Sequence, residues 1–123
     1  MSEEGFSKEE KAAMKARAKE LKAARNKEEA EKAVTDTIAA MNGLDREIGE
    51  RFFAIVKANA PILSARTWYG MPAFANDAGK VVCFYKAAAK FDSRYAEIGF
   101  TEDAKLDGGN MWATAFALTA MTA

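Results

Sequence analysis

Hydrophobic positions recur along the chain with two different periods, and the change falls at Pro61. Between residues 26 and 41, Val34, Ile38 and Met41 stand four and three apart, one stripe of a helix, and Asn42-Gly43 is a helix C-terminal signal. Residues 44–60 keep that period through Leu44, Ile48, Phe52, Ile55 and Val56 until Pro61 closes the segment. Upstream, residues 8–25 consist of strong helix formers, and Ser7 with Glu10 has the form of a capping box. The large apolar residues there, Met14 and Leu21, are seven apart, too thin a stripe to pack firmly on a core. The pattern predicts a solvated helical arm over residues 1–27, then a folded domain over 28–123 that opens with two helices.

Beyond Pro61 the period shortens to two. Four strands are predicted, over residues 66–69, 80–86, 95–100 and 111–119, separated by Asn76-Asp77-Ala78-Gly79 and Asp107-Gly108-Gly109-Asn110 turn chemistry. Residues 80–86 are apolar on both faces, with Val82 and Phe84 on one and Val81, Cys83 and Tyr85 on the other, which marks a central strand. Gly70-Met71-Pro72 is expected to be a bend or a sheet edge, because proline cannot donate to a central ladder. In 111–119, Trp112, Phe116 and Leu118 share one face and alanines line the other. Helices followed by an antiparallel meander give an α+β class: a two-layer sandwich, N-terminal helices packed on a sheet of about four strands.

Composition narrows the chemistry. The 123 residues suffice for one core. They contain no histidine, which removes the commonest general base and excludes a Ser-His-Asp triad, a Cys-His pair and a Cys/His zinc site within the chain. No nucleophile, base or phosphate-cradling loop assembles with any specificity from what remains, so a non-enzymatic protein is expected. The single cysteine, no apolar run long enough to span a bilayer, and no signal-peptide pattern point to the cytoplasm and away from the membrane. Net charge is zero, yet residues 8–27 hold eight Lys or Arg against three Glu, while residues 28–50 hold two against seven Asp or Glu. The lysines of the arm could track phosphates, but interspersed glutamates and the lack of aromatic residues among them disfavour nucleic acid as a partner.

Trp-Tyr-Gly-Met-Pro-Ala-Phe at 68–74, Gly-Lys-Val-Val-Cys-Phe at 79–84 and Ile-Gly-Phe at 98–100 resemble the YdhG-like family, a domain family of unknown function. The resemblance covers about residues 36–118. It implies a frataxin-like fold and, from one branch of the family, an intracellular iron chaperone serving an iron-accepting protein. Members of that family continue past the last strand into a C-terminal helix, which residues 120–123 do not supply. The surface such a helix covers is expected to meet the arm, a second subunit or bare solvent, and an uncovered apolar patch there favours a homodimer.

Two sets of candidate site residues follow. A frataxin-like role implies labile iron on surface carboxylates, for which Glu28 with Glu31 and Glu47 with Glu50, each three apart on a predicted helix, are the candidates. The ordinary account, acids complementing helix N-termini, outweighs it. The alternative is a protein or ligand interaction module that uses either the basic helical arm or a surface on the sheet made by Trp68, Tyr69, Met71, Tyr85 and Tyr95, with Arg66 and Arg94 near them. Burial in the core or an interface is the commoner fate of such aromatics. No cofactor is firmly indicated. Cys83 is expected to be a buried, inert thiol.

Overall fold

The structure is a computed structural model that describes residues 8–121, less the side chains of Ala16, Lys19, Glu20, Ala23 and Ala24. Ser7, and with it the capping box, lies outside the described residues. Two helices, α1 (Lys8–Ala39) and α2 (Gly43–Asn59), precede five strands, β1 (Ser64–Trp68), β2 (Met71–Ala75), β3 (Val81–Lys86), β4 (Ala96–Phe100) and β5 (Ala115–Leu118). A short 3-10 turn, Glu102–Ala104, is capped by Thr101 Oγ1, which accepts the Asp103 N–H at 3.2 Å. The sheet is an antiparallel meander in chain order, and the class is the expected α+β with five strands rather than four.

The arm and the first expected helix are one helix of 32 residues. Asn26 is a weak helix former, but with no glycine or proline nearby nothing interrupts the backbone ladder. Packing begins only at its C-terminal third, where Val34 and Ile38 are buried, while Met14 and Leu21 stay exposed. The Asn42-Gly43 link, with Gly43 at φ +54, reverses the chain into α2. Lys57 on α2 then reaches Glu31 on α1 at 2.6 Å.

On α2 the buried residues are Ile48, Gly49 and Phe52. Leu44 and Ile55, expected in that stripe, are exposed, because the sheet meets a narrower face of the helix than the heptad-like spacing suggests. Gly49 permits the contact: a Cβ there would lie 3.2 Å from both Ile38 Cγ2 and Tyr85 Cε2. The core between the layers joins Val34, Ile38, Ile48 and Phe52 to Ala65, Phe74, Cys83, Tyr85 and Ala96.

The unforeseen strand is β2, all five of whose residues are buried. Trp68 pairs with Met71 across a two-residue turn, Tyr69-Gly70, in which both residues have positive φ (51 and 77). That is the type I′ geometry matching strand twist. Pro72 is therefore neither a bend nor an edge. It sits opposite Thr67 of β1, and pairing with β3 begins one residue later, at Ala73↔Phe84, so no β3 ladder bond depends on its missing N–H. At the other end, residues 111–114 do not join β5, and Trp112 belongs to the preceding loop.

Cys83, on the helix side of β3, is buried, and burial pushes its thiol up to about 11 from 9.0. A thiol raised on folding contributes stability that is complete below its unfolded value and is lost as the folded value is passed. Wild type is therefore expected to lose stability relative to Cys83→Ala between pH 9 and 11, measured by urea melts across that range. A constant difference between the two proteins would refute this.

Candidate functional site

The four candidate carboxylates do not converge. Glu28 and Glu31 lie on α1, and Glu47 and Glu50 on α2. Glu31 is held by Lys57, and Glu50 accepts from Arg46 Nε at 3.3 Å. Among the described residues no group of three or more acidic or thiol side chains is close enough together to hold a metal ion.

The aromatic candidates divide between the two faces of the sheet. Tyr85 belongs to the helix side: it is fully buried, packs near Phe52 (6.1 Å between ring centroids), and its hydroxyl donates to the Asp45 carbonyl at 2.8 Å. Strand parity separates it from Trp68, and it is no part of a ligand surface. Burial and the neighbouring Asp45 charge raise its phenol pKa.

Among the described residues, no helix lies on the opposite face. Register places Trp68, Met71, Ala73, Phe84 and Gly99 there. Trp68 lies edge-on to Tyr69 at 5.0 Å and beside Phe84 at 5.3 Å. The Phe84 ring rests on the bare backbone of Gly99, and Ala73 and Met71 are buried beneath this aromatic layer. Tyr69 projects from the hairpin tip, 81% exposed. Tyr95 stands apart just before β4, its ring 5.2 Å from the Arg94 guanidinium carbon.

The platform is held at its tip by a relay of polar contacts. The Asp45 carboxylate, in the first turn of α2, accepts the N–H groups of Ala88 (3.3 Å) and Ala89 (3.0 Å). That fixes the loop after β3, and Lys90 from this loop donates to the Gly70 carbonyl at 2.6 Å. Phe91 lies close to both Lys86 and Lys90. Lys86 is opposite Glu97, and Arg66, two residues before Trp68, has its Nε 3.4 Å from the Thr67 carbonyl oxygen. The aromatic layer is thus flanked by Arg66, Lys86 and Lys90. Sequence reasoning passed over Phe84 and Gly99, although strand alternation already set Phe84 apart from Tyr85. It gave no sign of the Asp45–Lys90 relay, which joins residues distant along the chain.

Two shallow clefts share these flanking and relay residues: one of about 470 Å3 includes Asn26, Lys27, Arg66 and Asp77, and another of about 550 Å3 includes Thr37, Asn42, Asp45 and Lys90. No helix among the described residues is long and apolar enough to cross a membrane. Comparison with protein-family models, curated proteins and solved structures returned no match to the chain.

Proposed function

We propose that this protein is a non-catalytic binding module whose ligand lies on the helix-free face of the sheet, against Trp68, Tyr69 and Phe84. The observation that carries this reading is the backbone of Tyr69. A bulky L-residue at φ 51 costs about 1–2 kcal/mol relative to one that tolerates the left-handed region. Asparagine is the favoured residue at that turn position. Tyr69 recovers little of that cost through burial, since its ring stays exposed. Strain retained where the fold gains little is a mark of a functional position.

The flanking Arg66, Lys86 and Lys90 favour a ligand that joins a flat apolar part to negative charge, the combination that stacking and cation contacts both reward. The residues that resemble the YdhG-like motif, 68–74, run from the end of β1 through the tip into β2 of this hairpin. The free buried thiol accords with a cytoplasmic setting.

The test is amide and indole NMR with a fragment set of aromatic carboxylates and nucleoside monophosphates. Shifts are expected to cluster on Trp68, Tyr69 and Phe84. Tyr69→Asn is expected to raise stability by about 1 kcal/mol while abolishing those shifts. Shifts that persist in the variant, or that map to the clefts instead, would sink the reading. Ferrous iron added anaerobically serves as a contrast: a response confined to Glu47 and Glu50 would move the assignment to iron handling.

A further inference from the structure

β5 is last in the sheet and, among the described residues, pairs only with β4. The phase of that ladder follows from one bond: the Phe100 N–H donates to the Thr114 carbonyl at 2.7 Å. Hydrogen-bonded and non-bonded pairs alternate along an antiparallel ladder. With Phe116 opposite Ile98 and Leu118 opposite Ala96, these two residues direct their backbone groups at β4, and Ala115 and Ala117 direct theirs to the free edge. Phe116 and Leu118 face the helix side, where Phe116 is 52% exposed and meets Phe100 edge-on at 6.4 Å.

Open edges are normally blunted by a charge, a proline, a bulge or a covering element. At the opposite edge α1 lies along β1, forming with it the cleft at Asn26 and Arg66. Among the described residues β5 has no such guard. No charged residue occurs from Gly108 to Met121, in a chain of which 29% is charged.

We propose that β5 is a self-association edge, on which a second copy adds its own β5 antiparallel about a two-fold axis at Ala117. Residues directly opposite in an antiparallel pair share a face. An added strand must therefore be uncharged, bulky on the helix side and small on the other. β5 meets those terms about its own axis. Ala117 pairs with Ala117 of the second copy and Ala115 with Thr119 of the second copy, so the outward N–H and C=O groups of both chains bond. Phe116 then lies beside Leu118 of the second copy, covering the exposed ring. β5 itself offers a charged partner strand no counter-charge, Glu97 of β4 being the nearest carboxylate, whereas a copy brings no charge to leave unpaired. The two sheets become one of ten strands, related by the isologous symmetry usual for dimers.

Multi-angle light scattering and sedimentation of the full chain at about 1–100 μM, where interfaces of modest area dissociate, test this. Wild type is expected to show a reversible monomer–dimer equilibrium. Ala117→Pro deletes an N–H that points away from β4, a change edge strands tolerate, so it should keep the fold and weaken dimerisation about tenfold or more. Ala117→Lys, which sets two like charges on the axis, should do the same. Hydrogen exchange of the wild-type Ala117 amide supplies a check without mutation: protection should grow with protein concentration. A wild type that stays monomeric throughout, a dimer that survives both variants, or an Ala117 amide whose exchange ignores concentration would each overturn the proposal.

Discussion

Phe74→Ala is expected to cost about 3–5 kcal/mol, seen as a large fall in the urea midpoint by far-UV circular dichroism. Phe74 is 2% exposed on β2, with Phe52 at 5.7 Å and Phe53 at 5.6 Å between ring centroids. It is the ring through which α2 grips the middle of the sheet. Its strand neighbours on the same face are Ala65 and Cys83, too small to collapse into the space it would vacate. The void would persist, and such voids make large-to-small changes severe. Total stability for a domain of this size is of order 5–15 kcal/mol, so the variant would stand near the threshold of folding. A loss under about 1 kcal/mol would mean the core is not built around this ring.

Gly99→Ala has the next largest expected effect, and it acts on both stability and binding. A Cβ on Gly99 would lie 2.7 and 2.9 Å from Cε1 and Cε2 of Phe84. The backbone cannot yield, since Gly99 is paired with Phe84 on one side and Ala115 on the other. The ring must swing off the sheet, which uncovers Ala73 and breaks its contact with Trp68. Overpacking of this kind costs about 1–3 kcal/mol. The indole N–H of Trp68 should shift, and fragment binding on the aromatic face should weaken even under conditions where the variant is fully folded. An unmoved Trp68 signal would show that Phe84 has room the packing denies it.

The legible part of this fold is what periodicity alone fixes. Val34, Ile38, Ile48 and Phe52 recur at helical spacing and are the helix-side core; the alternation in β3 marks a central strand, and it is the third of five. What escaped is what depends on partners. Pro72 reads as an interruption until the register shows its nitrogen lying beyond the end of the β3 ladder. Tyr69-Gly70 escapes as a turn because the favoured first residue there is asparagine, not an aromatic. Residue type groups Tyr85 with Trp68, although face parity, which depends on the register between strands, sets them on opposite sides. The carboxylate candidates rested on spacing within each helix, and spacing cannot reveal that Lys57 reaches across to Glu31.

The first helix has a hydrodynamic consequence. The described side chains from Lys8 to Glu29 are exposed, and those 22 residues form a rod of about 33 Å that adds drag without adding core. Elution volume compared with compact standards would overstate the mass of this protein. A monomer could pass for a pair of chains on a sizing column, and only a technique that weighs the particle can count its copies.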